Sequence, residues 1–276
     1  MRLEDLDGPR AKPQMAEAAV RDLRWLGLDW DGPDYVQSSG LNEINGAARQ
    51  LEAARLAYAC VCSRGDVRSA QSAPQLGDSE PRYPGTCRGR YPSLAAAQQQ
   101  TGKAAGLRLL VPDAAVTVAD ELLGERSFDV GAEVGDFLIS KRDGAPAYQL
   151  AAVVDDARQG VTEVVRGEDL LSSAARQILL QQALNLPSVR YVHVPLVRDE
   201  AGRRLAKRED DLSLQELREG GTDPRAIVAW AARSCGISCG PRVTARVALI
   251  DFALAKVPIG PLMVDAETVS ELRQAR

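Results

Sequence analysis

Residues 161–197 read as strand, helix and strand in immediate succession. VTEVVRG (161–167) is short and rich in β-branched residues. DLLSSAARQILLQQALN (169–185) sets its apolar residues at helical spacing, and RYVHVPLV (190–197) returns to a β pattern. Such alternation builds an α/β fold, and the charge at the strand-end loops points to a nucleotide-binding core. Upstream, QMAEAAVRDLRWLG (14–27), with Pro13 at its start, and LNEINGAARQLEAARLA (41–57) predict two further helices. Short β-type runs follow at 107–111 (LRLLV), 136–141 (DFLISK) and 145–154 (APAYQLAAVV). The last two flank Asp143-Gly144, which predicts a hairpin turn. Ser63 to Pro92, rich in Ser, Arg, Gly, Gln and Pro, reads as an irregular insertion, and the pattern from Leu212 onward is helical. No internal repeat or low-complexity tract interrupts this order.

With 276 residues, 45% of them apolar, the chain is long enough for one or two domains with a buried core. No stretch approaches the ~18 continuous apolar residues of a membrane helix. The opening MRLEDLDGPR is charged, unlike a secretory or transit leader, so a cytoplasmic protein is expected. Five cysteines, an odd and unevenly spaced set, fit reduced thiols or metal ligands better than a disulfide framework. Net charge is −4, and of 34 basic residues only five are lysines, a bias that genome composition alone can produce. Two local clusters, Arg82/Arg88/Arg90 and Arg198/Arg203/Arg204/Lys207/Arg208, nonetheless fit selective docking of one nucleic acid on an acidic protein.

Four segments carry chemistry. In Arg2-Leu3-Glu4-Asp5-Leu6-Asp7-Gly8-Pro9-Arg10, three carboxylates near a strand end are either a solvated turn or, at Glu4, an acceptor for a substrate ammonium group. Cys60-Val61-Cys62 with Cys87 supplies three soft ligands for zinc, or else three buried thiols; no histidine is near, because the only one is His193. Cys235 and Cys239, spaced for one helix turn, read as structural. Tyr148-Gln149-Leu150-Ala151 and Asp155-Asp156 precede Val165-Arg166-Gly167-Glu168-Asp169-Leu170. There a tyrosine on a strand and an arginine at the next strand's end can meet in one pocket, or Arg166 can pair with Asp169 or Asp155. Gly202-Arg203-Arg204-Leu205-Ala206-Lys207-Arg208 is either a solvated charge run or a basic loop that closes over a triphosphate.

In this order and spacing the four segments resemble the class I glutamyl-type aminoacyl-tRNA synthetases, and among them the shortened branch that glutamylates queuosine in tRNA(Asp). RLEDLDGPR, AYQLAAVVDD with VVRGEDLL, HVPLV, and RRLAKR at the place of the KMSKS-type loop carry the resemblance, along with the Cys-x-Cys…Tyr-x3-Cys pattern. It covers nearly the whole chain and weakens after about residue 215. It implies a Rossmann-like parallel-sheet catalytic core over 1–211, a zinc-binding insertion at 58–92 and a small helical region at 212–276. It implies that Glu4 holds the glutamate ammonium group, that Tyr148 and Arg166 hold its carboxylate end, and that Lys207 contacts the ATP phosphates as the catalytic residue. Cys60, Cys62, Tyr83 and Cys87 would ligate one zinc ion, and magnesium would accompany ATP. The implied partners are L-glutamate, ATP and queuosine-bearing tRNA(Asp), with the protein a monomer and no membrane involved.

The sequence departs from the family pattern in three places. Arg204 and Ala206 stand where Lys and Ser are usual in the basic loop. The HIGH-type motif that precedes the Glu-Asp-Leu-Asp segment, and the Arg-x-Ala-Pro-Ser segment that contacts glutamate, have no counterpart here. Two expectations follow: an internal Met1 with the ATP-cradling strand and helix lying upstream, or a non-catalytic remnant that binds tRNA or zinc without adenylation. Only 68 residues follow Arg208, too few for the anticodon-binding domains of a full glutamyl-tRNA synthetase.

Overall fold

The computed structural model describes residues 1–6, 13–70, 81–204 and 213–276. The chain divides into two compact units. One comprises residues 36–164 and 170–191; the other comprises 1–35, 165–169 and 192–276.

In the larger unit, the helix Leu41–Ala53 buries Ile44, Ala48 and Leu51, one stripe at the 3–4 residue spacing expected of an amphipathic helix. It ends sooner than its sequence suggests, because Ala57–Cys60 turns into a strand with three of its four residues buried. That strand pairs antiparallel with Gly106–Leu109, placing Tyr58 opposite Arg108 and Cys60 opposite Gly106. Gly106–Leu109 in turn pairs antiparallel with Leu138–Ser140, with a register shift between Leu107 and Arg108. The turn at Asp143-Gly144 forms: Gly144 has φ +81°, and Lys141 N–H donates to Ala145 O at 2.7 Å. It closes only one bridge, Ser140↔Pro146.

The run at 145–154 is not a strand. A helix spans Tyr148–Arg158 and buries every residue from Gln149 to Asp156. A helix enclosed on all sides loses the polar face that creates a 3.6-residue period, so its apolar run mimics a core strand. It packs against Leu41–Ala53 and against the helix Leu171–Leu184, which itself buries Ala174, Ala175, Leu179, Leu180 and Leu184. Fully buried Leu150 and Leu180 each contribute about 2 kcal/mol of transfer free energy.

A hairpin absent from the sequence reading, Val116–Asp120 with Gly124–Phe128, also lies in this unit. Val116, Val118 and Asp120 point inward, and the Asp120 carboxylate accepts from the N–H groups of Leu122 and Leu123 at 3.0 and 2.8 Å to close the turn. Asp120 pairs in parallel with Tyr191. The sheet order is Gly124–Phe128, Val116–Asp120, Arg190–Val194, Glu163–Gly167, so the sheets are mixed rather than wholly parallel. The strand–helix–strand run sits where the sequence puts it: strand Glu163–Gly167, helix Leu171–Leu184, strand Arg190–Val194. The insertion is not wholly irregular, because Ser63 and Asp66 form a reciprocal capping box that starts the helix Arg64–Ser69.

In the smaller unit, strand Arg2–Leu3 leads into Glu4, and helix Pro13–Trp25 follows the predicted pattern. An ion pair from Arg218 Nε to Asp22 Oδ1 at 3.0 Å ties that helix to Leu214–Glu219. Further helices span Pro224–Ser234, Ala245–Ala248 and Ala266–Gln274. Pro224–Ser234 has proline in its first turn and an Asp223 cap, and it buries Ala226, Ala229 and Ala232. It ends at Ser234, so Cys235 and Cys239 do not share a helix turn. Val197–Arg198 pairs in parallel with Leu262–Met263. No helix among the described residues is long and apolar enough to cross a membrane.

Candidate metal centre and substrate-binding residues

Strand Ala57–Cys60 delivers Cys60 at its end, and Cys62 follows two residues later on the same extended path. Tyr83 and Cys87 come from the far side of the insertion. Tyr83 is fixed through its backbone, whose N–H donates to Val134 O at 2.8 Å. Gly135 makes that approach possible: it has φ +73°, and a Cβ there would sit 2.3 Å from the Tyr83 carbonyl oxygen.

The three sulfur atoms of Cys60, Cys62 and Cys87 lie within 4.8 Å of one another, with Cys62 and Cys87 at 3.5 Å. The Tyr83 oxygen is 3.4 Å from Cys60 Sγ and 3.9 Å from Cys62 Sγ, and it accepts from the Cys87 backbone N–H at 2.8 Å. Tetrahedral zinc with bonds of about 2.3 Å to sulfur and about 2.0 Å to oxygen has edges of roughly 3.5–3.8 Å. The Cys62–Cys87, Cys60–Tyr83 and Cys62–Tyr83 separations lie close to those edges, and three thiols with a phenol are a suitable donor set, so these four residues fit zinc. Tyr58, Val61, Val67 and Tyr91 pack around the cluster, in which Cys60, Tyr83 and Cys87 are buried and Cys62 is half-buried.

Protonation follows from that burial. The Cys62 thiol is pushed up to about 12, first by burial and then by its neighbours Cys60 and Cys87. Burial also raises the Tyr83 phenol, reinforced by its hydrogen bonds to Cys60 and Cys87. Burial acts on Cys87 in the same sense, but hydrogen bonds involving Tyr83, the Val61 backbone, Cys62 and Cys60 outweigh it and take the thiol below its usual range. A largely buried group of acids of this kind releases its protons when a divalent cation supplies the compensating charge.

Sequence reasoning missed the residues that brace this centre. Arg108 is buried; its Nε donates to Cys60 Sγ at 3.2 Å, its guanidinium lies 3.7 Å over the Tyr83 ring, and Nη1 donates to Asp136 O at 2.7 Å. The Asp136 side chain, 1% exposed, accepts two bonds from Arg88 at 2.8 and 2.5 Å, one from Tyr58 OH at 2.5 Å and one from Val111 N–H at 2.9 Å. Burial alone would raise the Asp136 carboxyl, but Arg88, Tyr58 and Val111 together hold it below the ordinary range. Tyr58 is raised by burial and by the adjacent Asp136 charge. The one local signal was the isolated acid in Gly135-Asp136-Phe137, ahead of an apolar strand.

The other predicted residues fall as follows. Glu4 is exposed and accepts from Arg2 Nε at 3.1 Å. Arg166 lies in the same unit, on strand Glu163–Gly167, and its Nε donates to His193 Nε2 at 3.0 Å. Tyr148 belongs to the larger unit and starts a helix rather than lying on a strand; it is 45% exposed. Lys207 lies outside the described residues. Asp169 pairs with Arg204 at 2.5 Å, while Asp155, fully buried, accepts from Gln37 Nε2 at 2.9 Å and from Arg158 at 3.2 Å.

Several arginines of the two basic clusters bond within the protein. Arg82 Nε donates to Gly131 O, Arg88 grips Asp136, Arg198 donates to Gly202 O and Arg203 pairs with Asp199. Those bonds shape loops, so the clusters are partly structural.

A family model described as tRNA synthetases class I (E and Q), catalytic domain, matches residues 1–241. The chain belongs to that family of aminoacyl-tRNA synthetase-type ligases. It is 42% identical over 282 residues to the glutamyl-Q tRNA(Asp) synthetase of Symbiobacterium thermophilum, covering 99% of this chain and 87% of that protein. Against the protein of the same name from Nitratidesulfovibrio vulgaris it is 38% identical, again covering 99% and 87%. Among solved structures, a glutamate tRNA ligase from Elizabethkingia meningosepticum superposes with a TM-score of 0.77 at 21% identity, over 97% of this chain. This chain spans 60% of that ligase's length, and the likeness shows the class I glutamyl-tRNA synthetase-like fold.

Proposed function

We propose that this protein, acting as a cytoplasmic monomer, activates L-glutamate with ATP and transfers it to queuosine in the anticodon of tRNA(Asp). The observation that carries this reading is the likeness over 99% of this chain, at 42% and 38% identity, to two relatives named glutamyl-Q tRNA(Asp) synthetase. In the proposed first step a glutamate carboxylate oxygen attacks the α-phosphorus of ATP, forming glutamyl-adenylate as pyrophosphate leaves. In the second, a queuosine hydroxyl attacks the carbonyl carbon of the mixed anhydride, losing its proton and releasing AMP.

The roles proposed for side chains are those the family resemblance implies, and their chemistry suits them. Glu4, an acceptor-only carboxylate, would hold the substrate ammonium group, while Tyr148 and the planar fork of Arg166 would hold the carboxylate end. Lys207 would place a point charge against the phosphates, where negative charge grows as pyrophosphate departs, with magnesium sharing that charge. Cys60, Cys62, Cys87 and Tyr83 would hold zinc as a closed, four-ligand structural site that clamps the insertion. The catalytic core would occupy 1–211, with 212–276 as a helical appendage. Pyrophosphate exchange into ATP tests the first step. Exchange that depends on glutamate, and is not supported by glutamine or aspartate, is expected. Absence of exchange from folded, zinc-loaded protein would favour a non-catalytic relative that binds tRNA or zinc.

A further inference from the structure

His193 is the only histidine in the chain, and it is fully buried on strand Arg190–Val194, next in sheet order to the strand that carries Arg166. Arg166 Nε donates to His193 Nε2 at 3.0 Å. A guanidinium has no acceptor, so this contact requires Nε2 to be the unprotonated nitrogen: the imidazole is neutral with its proton on Nδ1. Nε is the inner edge of the guanidinium. Engaging it fixes the rotation of the guanidinium plane, and a guanidinium held in a fixed plane meets a carboxylate with the geometry of a forked pair.

We propose that His193 is a positioning residue for the amino-acid site: it orients Arg166 through Nε so that the guanidinium meets the carboxylate end of the substrate in one fixed plane. The inference rests on the reading of Arg166 as a glutamate-binding residue. A buried imidazole acceptor suits this task because it adds no charge that would compete with the substrate carboxylate for the guanidinium. A carboxylate in the same place would pair with Arg166 outright and weaken its hold on substrate.

The test is glutamate-dependent pyrophosphate exchange by the full chain, by four single variants (Arg166→Ala, His193→Leu, His193→Asn and His193→Gln) and by the double variant of Arg166→Ala with His193→Asn. Gln can place an acceptor oxygen near the position of Nε2, whereas Asn falls short and Leu has none. His193→Leu and His193→Asn are expected to raise KM for glutamate about tenfold, the scale of losing one hydrogen bond to a charged group, with KM for ATP within about twofold of the parent. His193→Gln should recover most of the loss, and adding His193→Asn to Arg166→Ala should raise KM no further. Zinc content should be unchanged in all of them. If Gln is no better than Asn, or both KM values rise together, the positioning role is overturned. An Arg166→Ala change that raises KM for glutamate while both His193→Asn and His193→Leu leave it unaltered overturns this inference alone. An Arg166→Ala change with no effect on glutamate overturns the assignment of Arg166, and the role of His193 with it.

Discussion

Asp136 holds the insertion to the sheet, and removing its carboxylate should be costly. Asp136→Ala leaves the Tyr58 hydroxyl and the Val111 N–H without their acceptor, and each such loss costs about 1–3 kcal/mol. Arg88 loses both of its bonds to the carboxylate, but its side chain is 52% exposed and water can take over much of that role. The total comes to about 3 kcal/mol, at the low end of what breaking a buried ion pair costs. For a chain of this size that corresponds to a fall in Tm of roughly 6–12 °C. Thermal and urea unfolding followed by circular dichroism measure it; a shift below about 2 °C would refute the account of Asp136. The pH dependence supplies an independent check. Because the folded carboxyl is held below its unfolded value, its stabilising effect is complete above about pH 4 and is lost as pH falls through the depressed folded value. The stability gap between the parent and Asp136→Asn should therefore be constant near neutrality and narrow below about pH 4. A gap unchanged down to pH 3 would contradict the assignment.

Purified protein should contain about one zinc per chain by plasma mass spectrometry, and Cys87→Ser should lower the occupancy; no zinc in either would refute the site. Zinc affinity should weaken from pH 8 to pH 6 in competition with a chelator, because the raised Cys62 thiol must give up its proton to bind. Gly135→Ala should destabilise the protein by about 2 kcal/mol or more in urea unfolding and loosen zinc, since the new Cβ meets the Tyr83 carbonyl at a positive φ. Lys207→Ala should slow adenylation far more than it weakens glutamate binding, as separated by single-turnover kinetics; equal effects would argue against a phosphate role.

What was legible in the sequence was local. Cys60-x-Cys62 and Tyr83-x3-Cys87 are short patterns whose ligand chemistry is visible residue by residue, and the structure brings all four together. Residues 161–197 were legible because short β-branched runs flank a helix of ordinary length whose apolar residues keep helical spacing. Helix Tyr148–Arg158 was not, because eight consecutive residues from Gln149 to Asp156 are buried and no polar face marks the period. Hairpin Val116–Phe128 is only five residues a side, and its outer strand is almost wholly exposed, so no apolar alternation marks it. The Asp136 centre gathers partners from 78, 48 and 25 residues away, a convergence that only the folded sheet creates. His193 stood in a recognised HVPLV segment, but its bond to Arg166 across 27 residues becomes visible only once the two strands lie in one sheet.

The most direct test of the central claim is transfer itself. Folded, zinc-loaded protein is incubated with ATP, magnesium and radiolabelled glutamate, and with tRNA(Asp) prepared with or without queuosine. The account predicts glutamate-dependent label on the queuosine-bearing tRNA alone, recovered in the anticodon fragment after nuclease digestion. Label at the 3′ end, equal labelling of both tRNAs, or no labelling of either would contradict it.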